Sequence, residues 1–219
     1  MRALAVAHPN VALVKYWGKR ARAGNLPATG SLSLVLGGLA TETSVQFDPA
    51  LARDRVLLDG REDAETSARV SACLDELRRE AGVDTRASVD SRNDFPTGAG
   101  LASSAAGFAA LVTAGAGALG LHLKDQRLAE IARLGSGSAP RSLLGGVVLL
   151  TNRDATTVCE QVAAPADWPL EIVVAVTTAP TAKTAWIPNT SATTPAPTAP
   201  IGRTPQLIIR LALYARPSR

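Results

Sequence analysis

Between residues 31 and 36 leucine alternates in part with polar positions, and the alternation returns from residue 43 to 47. A period of two is the pattern of a strand with one face buried, and Gly37-Gly38 between the runs predicts a β-hairpin. Residues 55–58 form a further short strand that ends at the turn pair Asp59-Gly60. The period then changes. Val70, Cys73, Leu74, Leu77 and Ala81 recur at helical spacing opposite Asp75, Glu76, Arg78 and Arg79, and Gly82 stops that helix. Residues 87–91 read as a strand, 103 to about 119 as an Ala-rich helix, and 125–134 as a shorter helix. Strands are expected at 146–151 and at 170–178, the latter apolar throughout. Strands and helices do not alternate strictly, so the fold class is α+β.

The pattern fails after residue 178. Residues 177–200 are almost entirely Thr, Ala, Pro, Ser and Asn, and half of the 14 prolines lie beyond Glu171. Such a segment has neither an apolar face nor charge pairing and is expected to be poorly ordered. Within the rest of the tail, the apolar run 207–213 could form one element. Charge divides at the same place. All 19 acidic residues and 18 of the 23 Lys and Arg lie at or before Glu171, a balance of −1, so the net +4 belongs to the tail. No basic face for nucleic acid is implied.

The remaining composition narrows the class. A chain of 219 residues with 46% hydrophobic content can bury a core. It has no apolar run of about 18 residues, so no membrane span is expected. The N-terminus meets Pro9 and Lys15 too early for a signal peptide, and Cys73 and Cys159 are isolated, as in a reduced cytoplasmic protein.

Three segments carry candidate chemistry. In residues 96–106, Pro96-Thr97-Gly98-Ala99-Gly100-Leu101-Ala102-Ser103-Ser104-Ala105-Ala106, small residues run into the Ala-rich helix. A glycine loop feeding a helix N-terminus lets backbone N–H groups face an anion; a tight strand-to-helix turn has the same composition. The ending does not fit the Walker A pattern. In residues 135–146, Gly135-Ser136-Gly137-Ser138-Ala139-Pro140-Arg141-Ser142, Arg141 stands among small residues. It is either a surface arginine or a grip on carboxylate or phosphate. In residues 8–20, Lys15, Lys19 and Arg20 flank Tyr16 and Trp17. That segment is either an amphipathic edge with solvated lysines or an anion clamp. His122 has no matched ligand partner for a metal.

Taken together, residues 96–106, residues 10–20 with Asn25-Leu26-Pro27, and the Gly135–Ser142 run resemble the diphosphomevalonate decarboxylase family. This family belongs to the superfamily of galactokinase, homoserine kinase, mevalonate kinase and phosphomevalonate kinase. The resemblance covers roughly residues 5–176 and implies a two-layer α+β sandwich whose second domain is incomplete here. It implies ATP-dependent decarboxylation of mevalonate diphosphate to isopentenyl diphosphate, with ATP and Mg²⁺ required. Lys15 and Arg141 would be the catalytic residues, and Asn10, Tyr16, Lys19, Ser138 and Arg141 would bind the substrate. Pro96, Gly98, Gly100, Leu101, Ala102, Ser103 and Ser104 would bind the nucleotide, with Ser104 reaching the metal. The implied partner is a small phosphorylated molecule, with no nucleic acid and no membrane; a homodimer stays open. Pro140 stands where the motif usually has a small residue or cysteine.

The resemblance also sets expectations that the tail does not meet. The family's second domain carries an aspartate near the chemistry, and no acid follows Glu171. Residues 1–176 are therefore expected to be the ATP-binding domain with the start of a second, and 177–219 an atypical tail from a shifted reading frame. A kinase or decarboxylase acting on mevalonate or its monophosphate is the nearest alternative. A non-catalytic remnant is the alternative from another class, and a basic-tail interaction protein rests only on five scattered bases.

Overall fold

The computed structural model describes residues 1–15, 29–97, 101–153, 156–168, 170–173 and 212–215. Two four-stranded sheets share the work. The first contains β1 (Arg2–Ala7), β4 (Thr41–Phe47), β6 (Ala87–Asn93) and β5 (Arg55–Leu58) in that order, antiparallel except for the parallel β5–β6 pair. The second contains β2 (Asn10–Val14), β3 (Ser31–Val35), β7 (Val147–Arg153) and β8 (Thr156–Ala163), all antiparallel. Strands β9 (Leu170–Val173) and β10 (Ala212–Ala215) pair with each other. The strand near the tail's apolar run thus falls at 212–215, and residues 207–211 lie outside the described ones.

The expected hairpin between 31–36 and 43–47 is corrected: its two strands belong to different sheets. The reason is that β3 has no free edge. Its backbone pairs with β2 on one side and β7 on the other, and the Val35 N–H donates to the Gly146 carbonyl at 2.9 Å. The Leu36 N–H donates to the Pro9 carbonyl at 2.8 Å. Gly37-Gly38 therefore carries the chain from one sheet to the other, and β4 pairs with β1 and β6 instead. Strands β1, β2 and β8 had no clean period in the sequence; Arg2–Ala7 holds small and apolar residues on both faces.

The helices follow their patterns closely. Helix α1 (Ala64–Ala81) begins where the Asp63 carboxylate accepts from the Thr66 N–H at 2.7 Å and ends at Gly82, whose φ of 66° suits a residue without Cβ. Replacing Asp63 with alanine is expected to cost about 1 kcal/mol of stability, read from urea unfolding. Helix α2 (Ser103–Ala118) is apolar almost all round because it is enclosed, lying on β1 and β4 beneath α1 and α3 (Asp125–Gly135). Its small residues permit close approach: a Cβ on Gly115 would lie 2.6 Å from the Leu77 Cδ1. The main core joins Val45, Phe47 and Val89 of the first sheet to Leu74, Leu77, Leu111 and Ile131 of the helices.

One buried cation ties α1 down. Arg78, 4% exposed at its side chain, bonds to Asp54, to Asp75 at 2.6 Å and to the Thr85 carbonyl at 2.8 Å, and lies over the Phe47 ring. Its charge is thus paired with two carboxylates and ties α1 to the segments that lead into β5 and β6.

Candidate active site

A cavity of about 690 Å³ opens between β5 and β6, the N-terminal half of α1 and the first turns of α2. Val56, Leu58, Val70, Val89, Phe108 and Leu111 supply apolar walls, and Ser103, Ser104, Asn93, Thr97 and Asp59 supply polar groups. An apolar cleft of this size with a few convergent polar groups suits a small molecule.

One end of this cleft meets the start of α2. Ala102, the residue before α2, adopts φ 54° and ψ 41°, and no side chain caps the helix behind it. The first-turn N–H groups of an uncapped helix carry its partial positive charge and bind anions. A left-handed alanine is strained, which fits a backbone bent to present those amides. Ser103 and Ser104 stand at that end. Pro96 and Leu101 face elsewhere: both border a second cavity of about 440 Å³, and Leu101 packs with Leu36 and Phe95.

From Ser104 a run of hydrogen bonds leads to the other glycine-rich segment. The Ser104 and Ser136 hydroxyls lie 3.3 Å apart, and those of Ser136 and Ser138 lie 3.2 Å apart. The Asn10 amide donates to the Ser138 carbonyl at 3.2 Å and to the Ser142 hydroxyl at 2.8 Å, and accepts from the Arg141 Nε at 3.1 Å. Arg141 Nη1 donates to the Ser31 hydroxyl at 2.5 Å. Ser104, Ser138, Asn10 and Arg141 are thereby brought together across 131 residues of sequence.

Arg141 is 4% exposed, on the short helical turn Ala139–Leu143, which accommodates Pro140 in its first turn. The surface-arginine reading is therefore removed. Ser33, on the same face of β3 as Ser31, is fully buried with no hydrogen-bond partner for its hydroxyl among the described residues. Burial pushes the nearby Cys159 thiol up to about 12 against the pull of the Arg141 charge, so it stays neutral. Cys73 is raised to about 12 by its own burial and donates to the Ile131 carbonyl. Lys15 is exposed at the end of β2. Tyr16, Lys19, Gly98 and Gly100 lie outside the described residues.

Two residues were not foreseen. Arg69 of α1 donates to the Gly135 carbonyl at 3.2 Å, stacks 5.3 Å from the centre of the Phe108 ring, and has its buried Nε without a partner among the described residues. The available signal was a charge beside the apolar stripe, four residues before Cys73. Ser136 was passed over as a loop residue, though it bridges the two serines that were singled out.

The sequence itself places this arrangement. Residues 7–160 match the family model of the diphosphomevalonate decarboxylase-like N-terminal domain. The chain belongs to that family. A diphosphomevalonate decarboxylase of Eremothecium gossypii is 45% identical over 153 residues, covering 64% of this chain and 38% of that protein. One from Rattus norvegicus is 38% identical over 208 residues, covering 84% of this chain and 51% of that protein. Among solved structures, the mevalonate diphosphate decarboxylase of Enterococcus faecalis superposes with a TM-score of 0.68 at 42% identity, over 74% of this chain and 52% of that one. That of Trypanosoma brucei gives 0.70 at 30% identity, over 83% and 52%. The α+β fold read from the pattern is thus the family's fold. The chain spans about half the length, or less, of the relatives it matches. No helix among the described residues is long and apolar enough to cross a membrane.

Proposed function

We propose that this chain is the nucleotide- and substrate-binding part of a diphosphomevalonate decarboxylase. The reaction converts ATP and mevalonate diphosphate to ADP, phosphate, CO2 and isopentenyl diphosphate. The observation that carries it is the hydrogen-bonded run from Ser104, at an uncapped helix N-terminus, to the buried guanidinium of Arg141. It sets two anion seats side by side, as a transfer between two phosphorylated molecules requires. A related structure holds MVAPP, AMPPCP and magnesium together.

When bound, ATP supplies the phosphoryl group and Mg²⁺ offsets its charge. The residues fit both: the α2 amides and the Ser103 and Ser104 hydroxyls would hold phosphates, with Ser104 reaching the metal, and the apolar walls would take the base. Asn10 and Ser31 fix the plane of Arg141, which with Ser138 would hold the diphosphate and carboxylate of the substrate. Lys15, exposed at the end of β2, would draw the same anion in. A preoriented cation away from water stabilises developing negative charge without reorganising. Residues 1–176 would form this binding part and 177–219 the atypical tail. We place the protein in the cytoplasm and take a homodimer as the assembly to test by sedimentation.

Calorimetry of the full chain with Mg²⁺–AMPPCP, then with mevalonate diphosphate, tests the reading; the expected result is binding of both. Absence of nucleotide binding by a folded sample overturns it. A second reading is binding without turnover. Release of phosphate and CO2 decides between the two.

A further inference from the structure

One residue lining the cavity combines the left-handed backbone of a tight turn with a side chain that reaches across the fold. Asp59, between β5 and α1, is a non-glycine residue at φ 49°, and its neighbour Gly60 lies at φ 76°. Aspartate tolerates the left-handed region better than most side chains, yet the conformation still carries strain. Its carboxylate takes three donors. Oδ1 accepts from the Asn93 N–H at 3.0 Å, and Oδ2 accepts from the Asn93 amide at 3.2 Å and the Thr97 hydroxyl at 2.5 Å. Asn93 also donates to the Thr97 hydroxyl at 2.9 Å and accepts from the Thr41 hydroxyl at 2.6 Å. A closed polar ring thus joins β4, the end of β6, the β5–α1 turn and the loop that enters α2.

Asp59 and Thr97 both line the large cavity. Their hydrogen bond spans two chain segments 38 residues apart, immediately before the glycine run that leads to Ala102. We propose that Asp59 is a positioning residue for the nucleotide: by holding Thr97 it fixes the part of the cavity wall that lies beside Ser103 and Ser104. This rests on the nucleotide reading above. The carboxylate keeps its negative charge, but three neutral donors fix where it points, and its part is to hold Thr97 rather than to touch the ligand. Burial would raise the Asp59 carboxyl, but the Thr97 hydroxyl and the Asn93 donors outweigh it and hold it below its ordinary value. Untying Thr97 returns freedom to that wall, which binding must then remove.

The test measures Mg²⁺–AMPPCP affinity by calorimetry and unliganded thermal midpoint for the full chain and four variants. Asp59→Gly removes the carboxylate without penalising the backbone, and Thr97→Val removes only the hydroxyl. Each is expected to weaken the nucleotide about tenfold, about 1.4 kcal/mol. The double variant is expected to be no weaker than Asp59→Gly alone, because the two residues act through one bond. Asp59→Asn keeps an acceptor for the Asn93 N–H and a partner for the Thr97 hydroxyl but sets donor against donor at the Asn93 amide, so it is expected to bind between wild type and Asp59→Gly. A purely structural role would lower the midpoint and leave affinity in place. Thr97→Val is exposed and keeps its backbone preference, so it decides the matter if Asp59→Gly does not fold. Single variants within twofold of wild type, or losses that add fully in the double variant, overturn the proposal. Failure of the wild-type chain to bind Mg²⁺–AMPPCP overturns the nucleotide reading, and the role of Asp59 falls with it.

Discussion

Arg141→Met is expected to weaken binding of mevalonate diphosphate by about a hundredfold or more, measured by calorimetry on the full chain. Methionine keeps much of the buried volume and removes the cation. At 4% exposure the guanidinium attracts an anion with little screening, and truncating a buried charge-assisted contact typically costs about 2–5 kcal/mol. The same change strips the Asn10 carbonyl oxygen and the Ser31 hydroxyl of their donor, so the thermal midpoint is expected to fall as well. Arg141→Lys is expected not to restore binding, because one ammonium cannot reproduce Nε on Asn10 and Nη1 on Ser31 in a single plane. A variant that loses stability but binds as before would make Arg141 a staple between β2, β3 and the Ala139–Leu143 turn, and would remove it from the substrate site.

Gly135→Ala is the second large effect. The added Cβ would lie 2.0 Å from Phe108 Cδ1 and 2.2 Å from Cε1, inside any tolerable contact. Phe108 is 4% exposed and carries the Arg69 guanidinium against its ring, so it yields most readily toward the cavity it lines. Overpacking of this kind costs about 1–3 kcal/mol. Unlike a simple core defect, it is also expected to reduce Mg²⁺–AMPPCP affinity, because either the ring enters the cavity or Ser136 and Ser138 move off Ser104. Gly135→Ala combined with Phe108→Leu is expected to recover most of the stability in urea unfolding. No recovery would mean that the clash is relieved by backbone movement elsewhere.

What could be read in advance divides along physical lines. Helix α1 was legible because its stripe, its cap Asp63 and its stop Gly82 are local signals that agree. Strand β4 was legible from its strict alternation, but its partner was not: pairing is decided by which edges are free, and β3 had spent both of its own on β2 and β7. Composition alone marked the two glycine-rich segments as candidates for anion chemistry. Their contact through Ser136 was invisible, since it depends on how α2 and α3 pack. Arg141 shows the limit most clearly: its neighbours in sequence are small loop residues, while its neighbours in space, Asn10 and Ser31, come from two strands of another part of the chain.

The order in which those strands enter the fold bears on when the protein can first work. Asn10 waits for Ser142, 132 residues later, and Ser31 waits for Arg141, 110 residues later. The central strand of the second sheet, β3, cannot complete its pairing until β7 has been made. During synthesis, therefore, the first sheet and α1 can assemble while β2 and β3 still lack half of their partners. Closing such distant pairs is slow because loop entropy is lost before any contact repays it. The contacts of Arg141 with Asn10 and Ser31 therefore form only after residues 141–150 come back across the start of the chain.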